Sequence, residues 1–217
     1  MAYSFIYLAS QSPRRQELLQ QLGVRYELLL PDASEDTESL EAPLLNETAR
    51  MYVERVTLTK CAAACTRWQK SDLPWAPILC ADTTVSLPER TDAQILGKPS
   101  DAADAERILR MLSGRTHEVL TALAIVPSIA TKPISVVQVS EVEFIPLSDT
   151  HLQAYVASHE PFGKAGAYGI QGLGGALIRK INGSYSGIMG LPLFETARLL
   201  EQTGVRFSLS ANTINPF

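Results

Sequence analysis

Arg14 and Arg15, Lys60, Lys98, Glu35 and Asp82 are side chains of the types that together could handle a polyphosphate, with Gln171 in a glycine-rich stretch near the end of the chain. The cations could cradle phosphate oxygens. The two carboxylates would be ill placed against those oxygens unless they held a divalent cation, as Mg²⁺ is commonly held by few protein ligands and several waters. That points to phosphoryl chemistry. A bound metal lowers the pKa of an attacking water, a carboxylate orients it for in-line displacement, and arginines and lysines stabilise charge on the leaving group. No G-x-x-x-x-G-K-[ST] loop is present and no G-x-G-x-x-G follows a strand, which argues against a P-loop NTPase and a dinucleotide enzyme.

The elements that must position these groups can be read in order. Phe5 to Ala9 is a short apolar strand running into Ser10-Gln11-Ser12-Pro13-Arg14-Arg15, where Ser12 suits an N-cap, Pro13 the first helical position, and Gly23 a stop after Leu18, Leu19 and Leu22. Two arginines in the first turn oppose the helix dipole at roughly 0.3–1 kcal/mol each unless an anion sits there. Two solvated arginines on an exposed turn would explain the same pattern. A second strand, Tyr26 to Leu30, leads into an acidic loop containing Asp32, Glu35, Asp36 and Glu38. A helix is expected from Asn46 or Thr48 to about Trp68, with Lys60 near its apolar stripe, where snorkelling from the edge of the core is the simpler reading.

Ile78 to Ala81 reads as a buried strand that stops at Asp82, the place where open α/β sheets bind ligands. A long polar loop, Pro88 to Leu96, delivers the turn Gly97-Lys98-Pro99, and a helix follows from Asp101 to Gly114. Val119 to Val126 and Ser135 to Ile145 suggest an antiparallel pair, and Ser148 caps a helix. Five glycines lie between Gly166 and Gly175, which suits either close backbone approach to a ligand or a flexible loop. Ala176 to Ile181 reads as a strand, Asn182-Gly183 as a hairpin turn, and Pro192 as the start of a last helix ending near Gly204.

The alternation of strands and helices indicates an α/β fold, and residues 1–217 read as one compact unit with two lobes whose cleft collects the loops. A net charge of −4 with 46% apolar residues argues against duplex DNA or an anionic membrane as the main partner. No apolar run approaches the ~20 residues of a membrane span, and the first residues lack a leader pattern, so a cytoplasmic protein is expected. Cys61, Cys65 and Cys80 have no metal-like spacing to His117, His151 or His159, and Cys61 and Cys65 read as small apolar residues on a packed helix face.

The ordered set Ser10-Gln11-Ser12-Pro13-Arg14-Arg15, Ala81-Asp82-Thr83, Gly97-Lys98-Pro99, Leu112-Ser113-Gly114-Arg115-Thr116-His117, Lys164-Ala165-Gly166-Ala167-Tyr168-Gly169-Ile170-Gln171-Gly172 and Gly190-Leu191-Pro192 resembles the Maf family, first described as septum-formation inhibitors. The resemblance runs from about Leu8 to Leu200. It implies a mixed central sheet with flanking helices and two lobes around a cleft, similar to the inosine triphosphate pyrophosphatase fold, often as a homodimer. It also implies hydrolysis of nucleoside triphosphates to the monophosphate and pyrophosphate with a divalent cation, Mg²⁺, Mn²⁺ or Co²⁺. By position, Ser10, Arg14 and Arg15 match the family's phosphate loop, and Lys60 and Lys98 its triphosphate-contacting lysines. Asp82 matches the proton acceptor and metal-side carboxylate and Glu35 its partner, so that both would hold the metal. Asp32, Asp36 and Glu38 compete with Glu35, which is chosen by its offset from Gly23.

The Ala-Asp-Thr and Lys-Ala-Gly-Ala-Tyr-Gly-Ile-Gln forms resemble the branch acting on dTTP and UTP, which makes Thr83, Arg14 and Gln171 the base-selecting residues. A branch preferring 7-methyl-GTP, or a nucleotide-binding regulator of septum formation with little turnover, are the alternatives. The chain departs from the family pattern at Gly163, where relatives often have an acid, at Cys80, where glycine is usual, and in the longer Pro88 to Leu96 loop.

Overall fold

The computed structural model describes residues 3–32, 35, 39–88 and 94–210. Its strands are β1 (Ile6–Leu8), β2 (Tyr26–Leu28), β3 (Ile78–Leu87), β4 (Gln94–Leu96), β5 (Thr116–Val126), β6 (Ile134–Phe144) and β7 (Ile178–Asn182). Its helices are α1 (Pro13–Gln21), α2 (Ala49–Gln69), α3 (Ala102–Leu112), α4 (Asp149–Ala157), α5 (Tyr185–Met189) and α6 (Leu193–Thr203). The strands form one mixed seven-stranded sheet in the order β2-β1-β3-β5-β6-β7, with β4 also on β3. β2, β1 and β3 run parallel, and the pairs β3–β5, β5–β6, β6–β7 and β3–β4 are antiparallel.

Local chemistry explains the helix starts. Thr48 caps α2 by accepting from the Met51 N–H, Asp101 caps α3 through Asp104 N–H, and Ser148 with His151 makes a capping box for α4. α2 buries Tyr52, Val53, Val56, Thr57, Cys61 and Ala64, a helical stripe that lies on the sheet. The core divides along β3 and β5. Ile6, Leu8, Leu79, Ala81, Leu123 and Ile125 pack with α1 and α6, whereas Val85, Leu87, Val119 and Phe144 pack with α3 and α4. The long central strands thus belong to both lobes. No helix among the described residues is long and apolar enough to cross a membrane.

Three expectations change. The strand expected to stop at Asp82 continues to Leu87, because Thr83, Thr84 and Val85 are β-branched and β5 pairs with it from Ile78 to Ser86. Asp82 therefore sits in mid-strand. Asn182-Gly183 is not a hairpin turn: Gly183 leads into Ser184, which caps α5 by accepting from the Gly187 N–H, and the helix start prevails because no partner strand follows among the described residues. Within the loop Pro88 to Leu96, Gln94–Leu96 pairs with Val85, Ser86 and Leu87 as an edge strand, while residues 89–93 lie outside the described residues.

Candidate active site

β3 has an incomplete edge, and that is where the chemistry gathers. β5 occupies one side of β3 from Ile78 to Ser86. On the other side β1 reaches only Ile78 and Leu79, and β4 resumes at Val85. Between them, Cys80 to Thr84 have no strand partner on that edge among the described residues. The gap opens into a cavity of about 510 Å³, within the usual ~300–1,000 Å³ of small-molecule sites. Because side chains alternate along a strand, Asp82 faces α2 with Ile78 and Cys80, while Thr83 faces α1 and α5. One strand thus supplies both walls of the cleft.

On the α2 side, Lys60 follows Val56 by one turn and its ammonium reaches over the open edge. Its Nζ donates to Asp82 Oδ1 and to Glu41 Oε1, both at 2.6 Å. Glu41 Oε2 accepts from Lys98 Nζ at 2.9 Å. Snorkelling is thus replaced by a side chain aimed into the cleft. Burial pushes the Glu41 carboxyl up, but its bonds to Lys60 and Lys98 outweigh that and leave it below the usual carboxylate range.

Glu35 is not brought to this cluster. Its carboxylate forms a bidentate pair with Arg67, at 2.8 and 2.6 Å, and Arg67 itself lines the cleft. Glu41, in a short 3₁₀ turn at Ser39–Glu41, is the carboxylate that shares Lys60 with Asp82. The physical reason is the path of the acidic loop, which α2 fixes at two heights: Arg67 near its end anchors Glu35, and Tyr52 near its start donates to the Glu41 carbonyl at 2.8 Å.

On the α1 side the awkward arginines find backbone oxygen. Arg14 Nε donates to Met189 O at 3.3 Å and Arg15 Nε to Gly190 O at 2.9 Å, at the carbonyl-rich end of α5, where cations are favoured. Arg15 also donates to Ser10 Oγ at 3.0 Å and Thr83 Oγ1 at 3.4 Å. Burial pulls the Arg15 guanidinium below its ordinary range and the charge of Asp82 opposes that. No carboxylate among the described residues is within salt-bridge distance of either arginine, so both charges remain available to an anion. Arg14→Ala is expected to lower kcat/KM by about 10–100-fold, the worth of one or two charged hydrogen bonds to phosphate, with Tm nearly unchanged. Arg15→Ala should lose activity and also melt several degrees lower, since it abandons three internal hydrogen bonds; activity assays and thermal melts of the pair check the contrast.

The glycine-rich segment forms the third wall and is pinned rather than loose. Glu160 accepts from Tyr155 Oη at 2.8 Å, Leu173 N–H at 2.8 Å and Gly174 N–H at 2.9 Å, while Gly169 N–H donates to Tyr155 Oη at 3.1 Å. Gly166 takes φ +70° and a Cβ there would meet Val85 at 2.7 Å, so glycine is required; its N–H also donates to Gly97 O beside Lys98. Tyr168 is held by His117 Nε2 at 2.9 Å, and burial drives the His117 pKa down to about 3, so the ring is neutral and structural. Gln171 is exposed on the cleft between these anchors.

Burial pushes the Glu160 carboxyl up, but Gly174 N–H, the Tyr155 hydroxyl and Leu173 N–H together hold it below its ordinary range. The clamp's contribution is therefore complete above the unfolded carboxylate pKa and is lost as pH falls through the depressed folded value. Glu160→Ala is expected to cost about 2 kcal/mol and to raise KM through displacement of Gln171, with Glu160→Gln intermediate; melts and steady-state kinetics measure both.

The Maf-like protein family model matches residues 5–203. The chain belongs to the Maf family. Relatives named dTTP/UTP pyrophosphatase include those of Ralstonia nicotianae, 58% identical over 92% of this chain and 94% of the relative, and Albidiferax ferrireducens, 56% identical over 93% and 98%. That of Burkholderia pseudomallei is 54% identical over 95% and 97%. Among solved structures, a HAM1 protein from Coxiella burnetii superposes with a TM-score of 0.50 at 19% identity, covering 93% of this chain and all of that one, which establishes likeness of fold.

The Maf motifs Ser10 to Arg15, Ala81 to Thr83, Gly97 to Pro99 and Lys164 to Gln171 all reach the cleft in this structure. Two Maf departures have local explanations. Gly163 has φ +71°, so an acid there would be strained in this chain. Cys80 is fully buried against Cys61 of α2, whose thiol is pushed up by the hydrogen bond with Cys80 and by burial. Sequence reasoning overlooked Glu41, Glu160, Arg67 and Lys164, a third lysine lining the cleft beside Lys60 and Lys98, whose pKa burial and the charge of Arg14 pull down. Lys164 was visible inside a motif, whereas no local pattern marks Glu41.

Proposed function

We propose that this chain hydrolyses nucleoside triphosphates, dTTP and UTP foremost, to the nucleoside monophosphate and pyrophosphate. The observation that carries the reading is the convergence of Arg14, Arg15, Lys60 and Lys98 on an open sheet edge beside Asp82, in a cavity of nucleotide size. Relatives at 53–58% identity with that printed activity support it.

Asp82 acts as the proton acceptor for a water that attacks the α-phosphorus. The water oxygen bonds to Pα, the bridging Pα–O bond breaks, the electron pair leaves on pyrophosphate, and the proton passes to Asp82 Oδ. Arg14 and Arg15 bind the phosphates from the α1 side and Lys60 and Lys98 from the other, so negative charge grows between fixed cations. Thr83, Arg14 and Gln171 face the base.

Asp82 and Glu41 offer the hard carboxylate oxygens that a divalent ion prefers. Among the described residues no cluster of three or more His, Cys, Asp or Glu forms a complete metal cage, so phosphate and water would complete the shell, as Mg²⁺ accepts. Such an ion would supply charge neutralisation at the phosphates and acidify water. The test is pyrophosphate release from dTTP, UTP, CTP, 7-methyl-GTP and ITP with Mg²⁺ or Mn²⁺. Turnover led by dTTP and UTP is the expected result. Tight binding without turnover would replace the enzyme reading by a nucleotide-binding regulator, and preference for 7-methyl-GTP would overturn the base assignment.

A further inference from the structure

Behind the cleft wall, two threonine hydroxyls have a determined direction of proton donation. Thr83 and Thr121 face each other across β3 and β5, with their Oγ1 atoms 2.9 Å apart. Thr121 is fully buried, and its hydroxyl lies 2.8 Å from the Gly187 carbonyl oxygen, which can only accept. Thr121 has one hydroxyl proton and donates it there. The proton between the two threonines is therefore that of Thr83. From a third direction Arg15 Nη2, which can only donate, lies 3.4 Å from Thr83 Oγ1. The chain thus runs Arg15 to Thr83 to Thr121 to Gly187 O. Thr83 has no donor left and presents to the cleft an oxygen that can only accept.

We infer that Thr121 is a positioning residue for base selection: by taking the Thr83 proton it makes Thr83 an obligate acceptor, matched to a ring N–H donor. The inference rests on the reading that pyrimidine triphosphates are the substrates. Uracil and thymine carry an N3–H between two carbonyls, whereas cytosine presents a bare N3 acceptor at the same place. Against cytosine, two lone pairs face each other and both groups lose their bond to water without replacement, the kind of mismatch that polar sites use to reject analogues. Without the Thr121 hydroxyl, the Thr83 hydroxyl is free to rotate and donate, and cytosine gains a partner.

The experiment compares kcat/KM for UTP and CTP in the wild type, Thr121→Val and Thr121→Ser, with Thr121→Ala as a second hydroxyl-free variant should the valine protein fold poorly. The UTP/CTP ratio is expected to fall about tenfold in Thr121→Val or Thr121→Ala, one hydrogen bond's worth, and to return close to wild type in Thr121→Ser. A hydroxyl-free variant that folds and keeps the wild-type ratio overturns the inference. An equal fall in Thr121→Ser, which keeps the hydroxyl, assigns the effect to disturbed packing at this position and overturns it as well. A wild type that releases no pyrophosphate from UTP or dTTP overturns the substrate reading itself, a separate outcome read before any variant is made.

Discussion

Asp82→Asn is expected to lower kcat for dTTP and UTP by about 10²–10⁴-fold, the range for loss of a general base, with KM changed little. The amide keeps the shape of the side chain and an oxygen for Lys60 but cannot hold the proton of the attacking water. Proton acceptance occurs only in the transition state, so the loss belongs in kcat rather than in ground-state binding. Folding should be nearly unaffected, because Lys60 retains Glu41 as a charged partner and no ammonium is stranded. Single-turnover pyrophosphate release and a thermal melt on the same preparation check both halves. Equal turnover by the variant would remove Asp82 from the reaction.

The contrast between Asp82 and Glu41 shows what a sequence of this kind reveals. Asp82 was legible because it follows an apolar strand, and strands place residues by a period of two that survives an error in strand length. The strand runs six residues beyond its expected end at Ala81, to Leu87, yet Asp82 still faces the cleft, since the edge opens there for a topological reason, the short reach of β1. Glu41 was not legible. An acidic loop has no period, and which of its carboxylates meets Lys60 depends on the route the loop takes past α2, with Arg67 claiming Glu35.

Lys60 lies between these cases. Its position on the apolar stripe of α2 was readable, but the direction of a long side chain at the edge of a stripe depends on what the sheet offers there, and only pairing in three dimensions brings Asp82 underneath. Helix limits were readable wherever a capping side chain exists, as at Thr48, Asp101 and Ser148. At Gly183 a turn-forming pair misled, because the same residues also precede a capping serine. Thr121 could not be singled out at all: in the continuously buried run Val119 to Val126 a threonine looks like a valine until its hydroxyl is seen to have partners.

Lys60→Ala should be the most destabilising substitution in the cleft, and its effect should depend on pH. Removing one member of a buried ion pair costs about 3–5 kcal/mol. The Lys60 and Asp82 side chains keep 20% and 12% exposure, so water and the remaining Lys98–Glu41 contact soften the loss. About 2–3 kcal/mol is expected at neutral pH, or a Tm lower by about 5–10 °C. In wild type the Glu41 carboxyl is held low, so its contribution is present above the unfolded carboxylate pKa and is lost as pH falls through the folded value. Without Lys60 that contribution shrinks, and acid, by protonating the Glu41 carboxylate, should narrow the gap between variant and wild type. The double variant Lys60→Ala with Asp82→Asn should recover much of the lost stability, because it no longer strands a carboxylate at Asp82. The single variant should also gain more Tm from added Mg²⁺ than wild type does, since the ion then meets two carboxylates with no ammonium between them. Equal melting of Lys60→Ala and wild type at neutral pH would show that the ammonium does not hold the two acids together. Equal Mg²⁺ shifts would show that Asp82 and Glu41 do not form an ion site.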